Sequence, residues 1–433
     1  MRCTLSREAL KNALEQIKAG LPSLRQKLDD AYYTVLIEAT ERGVFVTALG
    51  RTMRLTTRAG EPLAVSVRGA CAVSYGKFYE AIKALPRQAA LTLILQGEVL
   101  HINDRQGGAV LACYPPEAFP KLAPSRAVGE TYLVEDRWTT GQGLAIRVHT
   151  TMRAYEVLDA HGQELTIGRD AFRDAFLSVA YAAARDDSRP VFTGVYVDLR
   201  EGHLTLVASD AFRLAKRRHP LPEAGEWGHP LLIPSQELAK ALELLPAGSR
   251  LTLTSRATTD RLVNENGRTV ADAEPFLNPA QVQLASDEGA NVAGIQLIAG
   301  QYPDVDKFIP TELPTRVVCE TAALREALLD VAPIAKLASN RMTFTIEQGA
   351  TLWIAAQNME HTRPEWREVA ASITGPAVKI DLDCQYVLGA LDASSSPEIA
   401  LELISGTKPC VISPTREDEV SCQHIIMPMF RDR

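Results

Sequence analysis

The chain has 433 residues, and at roughly 100–200 residues per domain that length calls for two to four domains rather than one core. With 46% hydrophobic and 23% charged residues, its composition is that of an ordinary folded protein and excludes a disordered or fibrous one. A formal net charge of −7 argues against a uniformly basic nucleic-acid binder, although a locally basic surface can coexist with an acidic exterior.

After a short opening strand, an amphipathic helix is predicted over 6–19. There Leu10, Ala13, Leu14 and Ile17 fall at i, i+3, i+4 and i+7, and Ser6 with Glu8 marks the start. An alternating strand at 44–48 follows, then a helix over 74–85, the breaker Pro86-Arg87, a strand at 91–95 and a closing Phe119-Pro120. The same order returns twice. The second copy has a helix over 168–184 (Phe172, Ala175, Phe176, Val179), a strand at 204–208, a helix over 235–245, a strand at 251–254 and Tyr302-Pro303. The third has a helix over 321–337 (Leu324, Ala327, Leu328, Val331), a strand at 352–356, a helix over 383–391, a strand at 399–403 and Met427-Pro428.

Each early strand ends in Ala, and the last Leu of the second helix lies 37, 37 and 35 residues beyond it, a register that marks an internal repeat. About 40 residues, 123–162, separate the first two copies, and 267–300 lengthens the second. Both read as insertions. They hold strand-like pieces at 144–148, 155–158 and 292–298, so added hairpins are expected.

The seven cysteines (Cys3, Cys71, Cys113, Cys319, Cys384, Cys410, Cys422) stand singly among apolar neighbours, which fits reduced core thiols rather than a metal or disulfide set. His219 and His229 flank a loop, and no H-E-x-x-H occurs. The short apolar runs and the absence of a leader-like start make a cytoplasmic protein the expectation. Gly141-Gln142-Gly143 lacks the third glycine of a dinucleotide loop and reads as a turn, and Lys216-Arg217-Arg218 reads as a solvated basic face. No spacing suggests a nucleophile with its base, so a non-catalytic protein without cofactor is expected.

Four segments in order carry a family resemblance: Ala118-Phe119-Pro120-Lys121-Leu122; Ala208-Ser209-Asp210-Ala211-Phe212-Arg213-Leu214-Ala215; Gln301-Tyr302-Pro303-Asp304-Val305 with Ile309-Pro310; and Ile425-Ile426-Met427-Pro428-Met429. Together with the repeat they resemble the bacterial DNA polymerase III beta subunit. The resemblance implies an α+β DNA clamp fold of three repeated domains, each with two helices packed on antiparallel sheets. Those domains would be 1–122, 163–312 with its insertion at about 267–300, and 313–433, with 123–162 an inserted segment. It further implies a head-to-tail homodimeric ring around duplex DNA that tethers DNA polymerase III and clamp-loader subunits through linear peptides. A divergent paralogue that binds partner peptides as a scaffold without encircling DNA is the alternative.

On that resemblance, the helix positions facing DNA would be Arg7, Lys11, Lys18, Lys77, Lys83, Arg87, Arg169, Arg173, Lys240, Arg325 and Lys336, with Arg25 on a loop. The peptide pocket would use Phe192, Ser209, Ala211, Phe212, Arg213, Leu214, Pro303, Lys307, Phe308, Tyr386, Val387, Ile425, Met427, Pro428 and Met429. The sequence departs from the family at Ala211-Phe212, which replace Gly-His, and in a tail that continues through Phe430-Arg431-Asp432-Arg433. The protomer joint would set the strand near 109–113 against the helix near 333–337, with Leu111 and Ile334 as apolar contacts.

Overall fold

The computed structural model describes residues 1–22, 33–87, 89–104, 107–120, 131–142, 145–186, 188–263, 276–356, 365–415 and 421–430. They form two compact units, Met1–Asp170 with Gln236–Leu297, and Ala171–Ser235 with Ile298–Arg433. Among the described residues no helix is long and apolar enough to cross a membrane.

The first repeat runs β1 (Arg2–Ser6), α1 (Arg7–Ile17), β2 (Thr34–Thr40), β3 (Gly43–Leu49), β4 (Met53–Arg58), β5 (Ala64–Val67) and β6 (Gly69–Ser74). It ends with α2 (Tyr75–Ala84), β7 (Ala90–Gln96), β8 (Val99–Asn103) and β9 (Gly108–Ala112). α1 buries Leu10, Ala13, Leu14 and Ile17, the face its 3.6-residue period selects. It stops short of the predicted end because Lys18–Gly20 tightens into a 3-10 turn. Ser6 occupies the N-cap position but makes no side-chain cap bond. The first turn is held instead by the Arg7 N–H donating to the Ala89 carbonyl at 3.0 Å.

The second repeat runs β10 (Thr131–Gln142), β11 (Ala145–Gly168), α3 (Arg169–Ala180), β12 (Gly194–Arg200), β13 (His203–Ser209), β14 (Arg213–Pro220) and β15 (Leu231–Pro234). Then come α4 (Ser235–Leu244), β16 (Arg250–Val263), β17 (Phe276–Ser286) and β18 (Asn291–Gln296). β10 and β11 pair antiparallel from Thr131↔Glu156 to Gln142↔Ala145, so the stretch between the first two copies does carry a hairpin. The reading of 267–300 as an insertion is corrected. β17 and β18 follow α4 and β16 as β8 and β9 follow α2 and β7, so they belong to the repeat. Part of the added length lies in the strands, because β16 runs on to Val263 to pair with β11.

The third repeat runs β19 (Thr315–Glu320), α5 (Thr321–Leu337), β20 (Arg341–Ile346), β21 (Thr351–Ala356), β22 (Glu365–Thr374) and β23 (Val378–Asp383). It closes with α6 (Cys384–Ala393), β24 (Glu398–Leu403), β25 (Cys410–Pro414) and β26 (Ser421–Ile426). Asp383 caps α6, its carboxylate accepting from the backbone N–H groups of Gln385 and Tyr386 at 2.8 and 3.3 Å. Leu324, Leu328 and Val331 of α5 join Val387 and Leu391 of α6 in one core with Phe344, Ile354, Ile380 and Ile399 of the strands beneath them.

Strand pairing sews neighbouring repeats together. β18, the last strand of the second repeat, pairs antiparallel with β4, the fourth strand of the first. β26, the last strand of the third, pairs in the same way with β14, the fourth strand of the second when counted from β11, the strand that precedes α3 as β1 precedes α1. This gives a nine-stranded sheet ending β18-β4-β3-β2-β6 and a twelve-stranded one containing β13-β14-β26-β25. The remaining sheet has the order β5-β1-β7-β8-β9, leaving β9 at an edge.

Candidate functional site

The segment Ser209–Leu214 is a tight turn between β13 and β14, built by side chains that replace ladder bonds. The Ser209 hydroxyl accepts from the Ala211 N–H at 3.1 Å and donates to the Arg213 carbonyl at 2.7 Å. The Asp210 carboxylate accepts from the N–H groups of Phe212 and Arg213 at 3.0 and 2.9 Å, and from Arg213 Nε at 3.0 Å. Ala211 is forced to φ +76°, in the left-handed region where glycine is at home. Ala211→Gly is therefore expected to stabilise the chain by about 1 kcal/mol, read as a rise of a few degrees in the melting midpoint. An unchanged or lower midpoint would remove strain as the explanation.

The sequence-predicted pocket residues divide into a floor and an exposed set. Leu214 and Ile425 are buried with Val207 and Val411 on one face of the sheet, and Tyr302, Val305 and Ile309 pack against them. Val387 lies in the core under α6, and Pro428 is also buried, so these positions shape the site without being free to touch a ligand. Phe212 (64%), Phe308 (60%), Met427 (41%) and Phe430 (65%) are instead exposed. Met427 is tied to the turn by its N–H donating to the Phe212 carbonyl at 2.9 Å. Phe308 stands on the short turn Val305–Phe308, whose Val305 packs on the floor. Phe212, Phe308 and Met427 are thus large apolar groups left in water beside one floor, a candidate interaction surface. Pro303 is exposed and Met429 half-buried, its N–H donating to the Asp381 carbonyl at 2.8 Å. Phe192 meets the Tyr302 ring edge-on at 6.0 Å, and Lys307 is exposed and pairs with Asp304 at 3.2 Å.

Arg213 is held closely by its neighbours. Its guanidinium lies 4.4 Å from the ring centre of Tyr386 and 5.3 Å from that of Tyr181. Tyr181 was absent from the sequence-based set, as was His424, whose Nδ1 lies 2.9 Å from the Tyr181 hydroxyl. Neither stands in a motif, and only their convergence marks them. Burial pushes the Tyr181 hydroxyl up and pulls the His424 imidazole down to about 4, helped by Arg217.

The basic positions also divide. Arg7 is buried, and its Nε and Nη2 donate to the carbonyls of Ile82 and Lys83 at 3.0 and 2.9 Å, capping the end of α2. Arg169, at the same place in the second repeat, donates to the Leu242 carbonyl at 2.6 Å and pairs with Asp170. Both are corrected from outward-facing cations to helix-end caps, because a C-terminal turn exposes unpaired carbonyls that attract a cation. Lys11 pairs with Glu15 at 2.9 Å and Arg325 with Asp392 at 2.7 Å. Lys18, Lys77, Arg87 and Lys336 are exposed, as is Lys83, which sits 3.8 Å from Glu80, and Arg173 and Lys240 are half-exposed. Arg25 lies outside the described residues.

The run Lys216-Arg217-Arg218 lies within β14, so alternate residues take opposite faces rather than forming one solvated basic face. Lys216 reaches Asp306 on one side, while Arg217 contributes to the depressed imidazole of His424 on the other. Of the two joint residues, Leu111 is half-buried on β9, and Ile334 packs against its own core. All seven cysteines are buried.

Residues 306–430 match the family model described as DNA polymerase III beta subunit, C-terminal domain, and 166–304 match its central domain. The chain is 27% identical to the beta sliding clamp of Streptomyces coelicolor over 270 residues, covering 61% of this chain and 66% of that protein. It is 23% identical to that of Lactococcus lactis over 273 residues, covering 62% and 65%. The matches thus span just under two thirds of these relatives' length. In fold the chain is similar to the DNA polymerase III subunit beta of Pseudomonas aeruginosa (TM-score 0.78, 18% identity) and to the DNA polymerase beta subunit of Streptococcus pyogenes (0.77, 18%), each comparison covering 100% of both chains. With two domain models of one family matched in their proper order over more than half of its length, the chain belongs to the DNA polymerase III beta subunit, or beta sliding clamp, family.

Proposed function

We propose that this chain is a non-catalytic, cytoplasmic sliding clamp of three domains (1–122, 163–312 and 313–433) that closes around duplex DNA as a head-to-tail homodimer. It would tether DNA polymerase III and clamp-loader subunits through the surface around Phe212, Phe308 and Met427. The carrying observation is the pairing rule between repeats: the last strand of one repeat pairs with the fourth strand of the repeat before it. Two strands are left over. Among the described residues β9 pairs only with β8, and residues 365–370 of β22 pair only with β21. A second copy that pairs its β9 with this β22 would extend the rule and close a ring without a new kind of contact. On this reading the joint would include β22, where Trp366 is half-exposed. Topology then supplies residence on DNA, and the exposed lysines need make only weak, solvated phosphate contacts that permit sliding.

Val110 is 62% exposed on β9, and a charge there would oppose edge pairing. Val110→Asp is expected to weaken the dimer at least tenfold in sedimentation runs at several concentrations, with the peptide surface intact. A wild-type chain that stays monomeric at every concentration would refute ring closure.

The scaffold reading, in which partner peptides bind but DNA is not encircled, is favoured by one observation. The helices of the third repeat carry two cations, Arg325 and Lys336, against Glu326, Asp330 and Asp392. Loader-dependent retention on nicked circular DNA that is lost on linearisation supports the clamp. Peptide binding without retention supports the scaffold.

A further inference from the structure

The Arg213 guanidinium is held on three sides. Asp210 accepts from its Nε, the Tyr386 ring covers one face at 4.4 Å, and the Tyr181 ring approaches at 5.3 Å. Its side chain is 13% exposed, and among the described residues Asp210 is its one carboxylate partner. The Nη groups at its tip remain to donate to an outside oxygen. A guanidinium fixed in this way loses little freedom when it binds, which is what makes a bound geometry selective.

The Tyr181 ring needs fixing in turn, because it lies on the turn after α3 rather than in regular structure. Two neighbours do this. On one side its hydroxyl meets His424 Nδ1 at 2.9 Å, and His424 Nε2 lies 3.4 Å from the Cys422 sulfur. His424 is buried on β26. A neutral imidazole with Nδ1 as acceptor and Nε2–H turned to the thiol satisfies both contacts. On the other side is Gly389 of α6, where an added Cβ would come within 2.7 Å of Tyr181 Cδ2 and 3.7 Å of Arg213 Nη1. Helix α6 thus leaves room for the ring only because that position has no side chain.

We propose that Tyr181, anchored by His424 and admitted by Gly389, is a positioning residue that aims Arg213 at an oxygen of the partner peptide. The inference rests on the pocket reading above and adds to it the device that sets the cation's geometry. The ligand chemistry it assigns is a carbonyl or carboxylate oxygen next to the apolar anchors. A guanidinium held on its faces by two rings presents its N–H edge, which suits a planar oxygen acceptor.

The test is a double-mutant cycle in the full-length chain. The probe is a fluorescein-labelled peptide of about twenty residues from the C-terminus of the replicative polymerase encoded in the same genome, followed by anisotropy. Tyr181→Phe keeps the ring and deletes the hydroxyl, and is expected to weaken binding about fivefold, the worth of one net hydrogen bond. Gly389→Ala disturbs the ring from the other side and is expected to weaken binding at least as much. Both losses should vanish in an Arg213→Met background, because the two residues act through Arg213. Losses that persist unchanged in that background, or no loss from either variant when Arg213→Met itself weakens binding, would overturn the positioning role. Equal binding by wild type and Arg213→Met would remove Arg213 as a contact and the inference with it. Absence of wild-type binding would instead sink the pocket reading on which both stand. Comparing the free-acid and amidated forms of the peptide distinguishes a terminal carboxylate from a backbone carbonyl.

Discussion

Arg7→Met is expected to lower the stability of the first repeat by about 2–3 kcal/mol, an effect far larger than loss of a surface lysine should produce. The side chain donates two hydrogen bonds to the Ile82 and Lys83 carbonyls at the end of α2, from a residue that is 6% exposed. Methionine has similar length and no donor, so the Lys83 carbonyl would lose the Arg7 bond and the Ile82 carbonyl would keep only the long Leu85 N–H bond at 3.3 Å, in a place water does not readily reach. A positive charge at a helix C-terminus would be lost as well. Hydrogen exchange resolves the effect better than a global melt in a chain of several domains, and protection of α1 and α2 should fall together. Arg169→Met should act in the same way on α4 through the Leu242 carbonyl. If protection were unchanged while retention on DNA fell, these arginines would be DNA contacts after all, and the capping account would be wrong.

The second large effect is on acid stability. Burial draws the His424 imidazole from 6.5 to about 4, with Arg217 adding to the shift. In the unfolded chain the group returns to about 6.5. Between those values the unfolded state takes up a proton that the folded state refuses. His424 therefore contributes stability that is fully present above pH 6.5 and is lost as the pH falls toward 4, about 3 kcal/mol over the window. The groups facing the ring are the Tyr181 hydroxyl, the Cys422 thiol and Arg217, and none of them is a carboxylate that would support an imidazolium. Below pH 4 the protonated ring would donate from Nδ1 and the Tyr181 hydroxyl would turn to accept, so the contact reverses direction. The measurement is denaturant unfolding of the wild type and of His424→Leu at pH 7.5, 6 and 5. The wild type should lose stability faster than the variant across that range. Parallel slopes would place the acid sensitivity elsewhere.

Much of the architecture was legible in residue order. The helical period of Leu10, Ala13, Leu14 and Ile17 and its counterparts in the other copies selected the buried face of α1, α3 and α5. The segments around Asp210, Tyr302 and Met427, apart in residue order, come together in the fold beside Leu214 and Ile425. What residue order misjudged was the state of individual side chains. Val387 and Pro428, named for the pocket, are buried, and Arg213 is packed against the rings of Tyr386 and Tyr181, which residue order does not show. The stretch at 267–300 read as an insertion because the pairing of β18 with β4, far back in the chain, leaves no mark in residue order.

The sequence by itself determined the threefold repeat, the helix and strand order and the family. Those properties rest on local period and turn chemistry, which are written in neighbouring residues. Only the tertiary structure decided which cations are spent on the fold, which strand edges remain open and which groups hold Arg213. Arg7 finds its acceptor 76 residues away, and Tyr181 finds His424 across 243. Such partners are set by how sheets and helices pack, and spacing along the chain carries no record of that distance in space.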